Sequence, residues 1–411
     1  MVVINDFTAR FGSRPSMARS SFLLPLLGGP HPSARGVADC GCGIGCNVNQ
    51  IAVVASFICV VLLSFHALGW AGSSRTIMDV GNRSVQVPDI VRAVICLGPG
   101  TLRAIVYLGG ANRVVGVEHM EKRSLSTRPY WLAHPEFASV PLVGAGGAGS
   151  INKEPDLEAV MRLRPDVIFV SYMAVENADK MQKKLGIPVV LLSHGTAQDE
   201  FTPTLVHGLK VAGEVLGRQE RARDIVGSIE RCQSDVARRI SDIPKAKTPM
   251  AYIGCVAYKG IHGIESSEGR YPPFDWIRTR TVSEHVGATT HFIVDKERLL
   301  KINPDVIFLD AMGVPVLLRD AAVHREYYKA LKAFQTSKVF TLFPFNAFAV
   351  NAGNAIANAY AVGKVLYPDR FQDVDLQTKS DEIYSFLVGK PVYRNMVRAW
   401  GPLGRVVDLH E

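Results

Sequence analysis

One twelve-residue pattern occurs twice in this chain and restricts its fold more than any other feature. The copies are Glu158-Ala-Val-Met-Arg-Leu-Arg-Pro165-Asp-Val-Ile-Phe169 and Glu297-Arg-Leu-Leu-Lys-Ile-Asn-Pro304-Asp-Val-Ile-Phe308. Each reads as the last turns of a helix, stopped by a proline that cannot continue it, then an apolar strand entered by an aspartate. A repeated helix-to-strand unit predicts two similar α/β lobes. The long charged amphipathic stretch between the copies predicts a helical connection, with a cleft between the lobes.

With 411 residues, 47% hydrophobic and 20% charged, the chain can build two domain-sized cores. The formal charge is +8, but the basic residues are scattered and no basic stripe interleaved with aromatics occurs, which argues against nucleic acid. An anionic small ligand or an anionic membrane surface fits the charge. The seven cysteines form no visible disulfide framework, and the cluster Cys40, Cys42 and Cys46 lacks a nearby fourth metal ligand.

An apolar run from Ile51 to Leu63, continuing to Trp70, reads as a membrane-targeting segment. Arg10, Arg14, Arg19 and Arg35 precede it, so the amino-terminal side is expected to stay cytoplasmic and the remainder to be exported. Residues 1–50 are expected to be a disordered leader, and residues 51–72 a signal peptide or an uncleaved anchor. The expected location is periplasmic, or anchored to the outer face of the cytoplasmic membrane.

Beyond the leader, residues 76–202 form the expected first lobe, with strands at Val91–Leu97, Val114–Val117, Asp166–Val170 and Val189–Leu192. Residues 203–243 form a helical linker, and residues 249–411 the second lobe, with strands at Ala251–Cys255, Val306–Leu309 and Val339–Leu342. In the linker, Ile225, Ile229, Cys232, Val236 and Ile240 recur at helical spacing, predicting one long helix over Arg218–Ser241. Such a stiff spine limits lobe closure.

The doubled pattern, the Leu216-Gly-Arg-Gln-Glu-Arg-Ala222 entry to the spine and the terminal Ala355-Ile-Ala-Asn-Ala-Tyr-Ala-Val-Gly-Lys-Val-Leu-Tyr-Pro368 together resemble the substrate-binding proteins of ABC importers for iron–siderophore complexes, haem and cobalamin. The resemblance covers about residues 76 to 411. It implies two Rossmann-like lobes joined by a long rigid helix and a ligand held between them without covalent chemistry. It also implies a membrane permease and its ATPase as partners, with one exposed glutamate per lobe docking on the permease. The matching glutamates are Glu158 and Glu297.

The richest ligand-binding candidate is the segment after the first strand of the second lobe, because ligands in open α/β sheets sit outside the carboxyl ends of strands. It offers Tyr258, Lys259, His262, Glu265, Arg270, Tyr271 and Phe274 among glycines that let the backbone turn. Aromatics supply flat apolar surface and the cations neutralise an anionic chelate. Arg128, Tyr130, Tyr172 and His194 from the first lobe, and Phe345 and Asn346 after the last strand, are further candidates. The expected function is capture of a metal chelate, a ferric siderophore-type complex first, with no cofactor and no enzymatic activity.

Two alternatives use other chemistry. Free-metal capture would draw on His119, His194, His262 and Glu265, of which only the last two are close in sequence. A chelatase acting on a tetrapyrrole would also use two α/β lobes, though an exported chain argues against it. Gly144-Ala-Gly146-Gly-Ala-Gly149 fits G-x-G-x-x-G in form, but no strand-to-helix junction is predicted there, so a dinucleotide site is not expected.

Overall fold

The structure, a computed structural model, describes residues 73–123, 125–193 and 201–407. The leader, the apolar targeting run, Cys40, Cys42, Cys46, Cys59 and His194 lie outside the described residues. Among the described residues no helix is long and apolar enough to cross a membrane.

Twelve strands are described. A hairpin, β1 (Ser74–Met78) and β2 (Ser84–Pro88), precedes the first sheet, which comprises β3 (Val94–Leu97), β4 (Val114–Val117), β5 (Val167–Ser171) and β6 (Val189–Ser193). The second sheet comprises β7 (Met250–Gly254), β9 (Arg280–Thr281), β11 (Val306–Asp310) and β12 (Val339–Leu342), and short strands β8 (Ser266–Ser267) and β10 (Phe292–Ile293) pair antiparallel beside it. Both four-stranded sheets are parallel, with orders β4-β3-β5-β6 and β9-β7-β11-β12. In each, the first strand lies between the second and the third, so the sequence repeat is also a repeat of topology.

The repeat works the same way in both lobes. Its helices, Leu157–Leu163 and Lys296–Ile302, are only seven residues long, so the pattern covers nearly the whole helix rather than its last turns. Asp156 caps the first through the Ala159 N–H at 3.0 Å, and Asp295 caps the second through the Arg298 N–H at 2.7 Å. Arg164 and Asn303 end them in the left-handed region, and the prolines follow. The Asp166 carboxylate then accepts the N–H groups of Arg92 and Ala93 at 2.6 and 2.9 Å, while Asp305 accepts that of Met250 at 2.8 Å. The aspartate of the pattern therefore fixes where the neighbouring strand enters the sheet. β5 and β11, which follow, are buried on both faces, as central parallel strands must be.

The hairpin was not anticipated from the sequence. It covers the edge of β6: Val80 donates its N–H to the Leu191 carbonyl at 3.2 Å, and the buried Asp79 carboxylate accepts the Leu191 N–H at 3.1 Å. The spine is a single helix, Gln219–Arg239, about 31 Å long at roughly 1.5 Å per residue. Ala222, Ile225, Ile229 and Val236 form its buried face.

The last two helices, Leu376–Val388 and Tyr393–Trp400, reach back to the first lobe although the sequence placed them with the second. Trp400 donates its indole N–H to the Ser126 carbonyl at 2.9 Å, and a His134 ring nitrogen lies 3.1 Å from the Val388 carbonyl. One hydrophobic cluster includes Val94 and Phe169 of the first sheet with Ile253 and Phe308 of the second. The lobes are thus tied by this packing as well as by the spine.

Candidate functional site

At the carboxyl edge of the first sheet the chain leaves β3 through Gly98-Pro99-Gly100. Gly98 has φ 80°, and a Cβ there would lie 2.4 Å from the Ser171 carbonyl oxygen, so only glycine lets the turn approach β5 this closely. Thr101 at the start of the next helix, Thr101–Tyr107, donates to the Leu97 carbonyl at 2.6 Å and lies 2.8 Å from the Ser171 hydroxyl. Glu118, directly after β4, accepts the Gly98 N–H at 2.9 Å. The glycine-rich segment from Gly144 crosses beside it, its carbonyls accepting the His119 and Met120 N–H groups. Between these elements lies a cavity of about 250 Å³, lined among others by Gly98, Glu118, Gly146, Asn152, Lys153 and Ser171. Burial pushes the Glu118 carboxyl up to about 7, the Gly98 N–H pulls it back, and nearby Glu121 adds to the rise.

A second space, about 80 Å³, lies next to the first and reaches across the lobes, with Pro99, Gly100, Arg103 and Tyr172 on one side and Ala349 and Val350 on the other. Arg103, buried, donates across it to the Asn351 amide oxygen at 3.0 Å and the Ala349 carbonyl at 3.3 Å. Phe348 and Ala349 both take left-handed φ values, 58° and 66°, which cost non-glycine residues energy and persist only where contacts impose them. Those contacts are visible: the Arg128 guanidinium lies 5.0 Å from the Phe348 ring centroid.

Two of the first-lobe candidates are not open to a ligand. Arg128 is 1% exposed and donates to the Met120 and Glu121 carbonyls and to the Glu121 carboxylate, at 2.8, 2.9 and 3.3 Å. Tyr130, also buried, donates its hydroxyl to Glu121 at 2.8 Å, and the Trp131 indole joins at 3.1 Å. Burial raises the Glu121 carboxyl, and Arg128 and these donors oppose the rise. Tyr172, half-buried with φ 59°, does line the smaller cavity.

The second-lobe segment divides into two groups. Tyr258 stacks on His291 with centroids 4.1 Å apart, Lys259 lies over the Tyr258 ring at 5.2 Å, and the His262 Nε2 is 2.9 Å from the Tyr258 carbonyl. These side chains form a half-open aromatic and cationic patch. Glu265 accepts the Gly263 N–H at 3.0 Å, and Arg270 is exposed near Asp275. Tyr271, Phe274 and Phe345, in contrast, are each 2% exposed and pack edge to face on one another, with Phe274 in turn against Phe308. They are core side chains, because Tyr271 and Phe274 start a short helix, Pro272–Ile277, that packs against the helix Ala352–Leu366. Asn346, half-buried, bridges to Val350. For the metal alternative, no group of three or more His, Cys, Asp or Glu able to hold an ion occurs among the described residues, His262 and Glu265 included.

Sequence reasoning missed Glu118, Arg103 and a row of asparagines on the helix Ala352–Leu366. Asn358 binds both the N–H and the carbonyl of Phe343, at 3.1 and 3.0 Å, and the Tyr271 hydroxyl at 3.1 Å. Asn354 donates to the Pro344 carbonyl at 2.7 Å and accepts the Tyr384 hydroxyl at 2.9 Å. With Asn351 as its N-cap residue, this row knits the segment after β12 to the helix. The signal was present: asparagines at positions 351, 354 and 358, three and four apart, stand in or at the start of an alanine-rich helix that is buried from Ala352 to Gly363. Glu158 and Glu297 occupy the same second position of equivalent helices; both are exposed and make no ion pair with the described residues.

Two parallel α/β sheets of one topology, a spine helix and solute-sized spaces at their carboxyl edges define a two-lobed solute-binding protein. The chain belongs to the periplasmic binding protein family, whose model matches residues 94–344. It is the substrate-binding component of an ABC importer and not an enzyme. It is 28% identical over 353 residues to the molybdate-binding protein MolA of Haemophilus influenzae, covering 78% of this chain and 92% of that one. The petrobactin-binding protein YclQ of Bacillus subtilis is 23% identical over 270 residues, 64% of this chain and 78% of that protein. Among solved structures, a periplasmic solute-binding protein of Veillonella parvula superposes with a TM-score of 0.63 at 17% identity, covering 80% of this chain and 97% of that one. Molybdate-bound MolA superposes with 0.62 at 22% identity, covering 77% and 98%.

Proposed function

We propose that this protein captures a compact, metal-bearing anion of the oxyanion class outside the cytoplasmic membrane and hands it to the importer's permease. The observation that carries this reading is the half-polar cavity of about 250 Å³ at the carboxyl edge of the first sheet. Pockets for drug-sized ligands run to about 300–1,000 Å³, so this space suits a smaller solute. Its glycine-rich wall brings backbone close to the solute, Lys153 adds a positive charge, and MolA, the relative similar over most of its length, is a molybdate binder by name. Export is assigned to the segment 51–72, as signal peptide or anchor. Glu158 and Glu297 are assigned to docking, one per lobe.

A second reading, a ferric siderophore-type chelate, is favoured by the patch of Tyr258, His291, His262 and Lys259, which offers a flat face and positive charge. The experiment that separates the two is native mass spectrometry with metal analysis on protein recovered from the exported fraction. A bound mass equal to a metal oxyanion supports the first reading. An organic mass carrying iron supports the second, and a bare transition metal defeats both.

A further inference from the structure

Glu118 stands apart from the other acids of the first lobe. It is 8% exposed and lies at the wall of the larger cavity. One carboxyl oxygen is held by the Gly98 N–H at 2.9 Å. The other makes no hydrogen bond with the described residues, yet it is not among the fully enclosed unpartnered atoms. Gly146, at φ 69°, lies so close that a Cβ on it would sit 2.7 Å from the Glu118 Cβ and 2.9 Å from Oε2, so only glycine at this position leaves room for the acid. A buried acid at the wall of a solute-sized space, with one oxygen satisfied and the other without a hydrogen bond among the described residues, is placed to meet the solute.

Burial is the main reason the acid is held up, and few charged groups surround it. From its own segment come Glu121, itself bound to Arg128, Tyr130 and Trp131, and the exposed His119. The buried Cys96 lies in β3. From the loop come Lys153 and Glu154, both exposed, with Glu154 paired to Lys184 at 2.7 Å. No basic side chain forms an ion pair with Glu118 among the described residues.

We propose that Glu118 sets which solute this cavity accepts: as a neutral acid it donates one hydrogen bond to an anionic oxygen, and as a carboxylate it rejects the same anion. The inference rests on the compact-anion reading above. Capture then takes up one proton for each anion bound when Glu118 starts ionised, and release returns it. With the carboxyl at about 7, affinity falls about tenfold per pH unit above that value, or roughly thirtyfold between about pH 6 and pH 8.5.

The test uses the full-length protein and two readouts. In the ligand-free protein, a carbon-detected NMR titration of the Glu118 carboxyl is expected to show a midpoint near 7; a midpoint in the ordinary carboxylate range overturns the inference. Calorimetric titration with molybdate across the same pH interval is expected to show the thirtyfold weakening, and Glu118→Gln, whose amide still donates, to abolish the slope. Molybdate binding that is equally tight at both ends of the interval overturns the role of Glu118 and leaves the compact-anion reading standing. Molybdate binding that strengthens with pH, or that keeps the same slope in Glu118→Gln, overturns the role of Glu118 as well. Failure of molybdate and tungstate to bind at about pH 6 overturns the compact-anion reading, and this inference with it.

Discussion

Arg103→Met and Asn351→Ala, made singly and together, test whether the segment after β12 is held to the first lobe by one charged contact. The Arg103 guanidinium is buried, and its Nη1 reaches the Asn351 oxygen at 3.0 Å and the Ala349 carbonyl at 3.3 Å. A hydrogen bond from a charged donor contributes about 1.5–3 kcal/mol, and losing one partner leaves the other desolvated and unpaired. Each single change is therefore expected to cost about 2–3 kcal/mol. Asn351 adds little as a helix cap, because its side chain makes no capping hydrogen bond. The double mutant then loses less than the sum by about 1.5 kcal/mol or more, since the second change removes an interaction already broken. Urea unfolding midpoints at constant m-value give the three differences. Hydrogen exchange of residues 346–350 is expected to accelerate in Arg103→Met and in the double variant, because the left-handed Ala349 loses the Arg103 donor at its carbonyl. Additivity within about 0.5 kcal/mol refutes the reasoning and leaves the segment held by packing rather than by this contact.

Three further outcomes are expected. Glu158→Ala with Glu297→Ala costs only the helix-dipole contribution of about 0.3–1 kcal/mol per site and leaves solute affinity intact, while transport in reconstituted vesicles falls at least about tenfold; unchanged transport removes them from docking. Tyr271→Phe loses the Asn358 contact and about 1 kcal/mol of stability with no change in affinity, and weaker binding at unchanged stability would place the ring in the cleft. Partial burial pushes Asp305 up, but Lys332 at 2.6 Å and the Met250 N–H more than offset it and hold its carboxyl below 3.8. Its contribution is complete above 3.8 and is lost as pH falls through the lower folded value, so Asp305→Asn is destabilised at about pH 6 and converges on the wild type near about pH 2. A difference that stays constant down to that pH denies the carboxylate this role.

The candidate site was legible in kind but not in membership. Placing it at the carboxyl ends of the strands follows from α/β topology, which the repeat reveals. Aromatic content pointed to rings that the fold buries: Tyr271, Phe274 and Phe345 pack in the core, and composition cannot tell a ring that faces a ligand from one that faces a sheet. Glu118 carried no local pattern at all. Its importance comes from Gly98 and Gly146, which are distant in sequence and meet it only in the folded lobe.

By itself the sequence determined the elements whose causes are local. Asp156 and Asp295 cap, Arg164-Pro165 and Asn303-Pro304 stop, and the apolar runs after them become strands wherever the chain folds, because caps, prolines and hydrophobic periodicity act within a few residues. The spine was legible for the same reason. Tertiary structure alone decided that the β1–β2 hairpin covers the edge of β6, that the last two helices return to the first lobe, and that Arg103 reaches Asn351. Each joins groups dozens to hundreds of residues apart, and their partners are selected by the burial of a shared core and by the need to satisfy polar groups inside it, neither of which any short stretch of the chain contains.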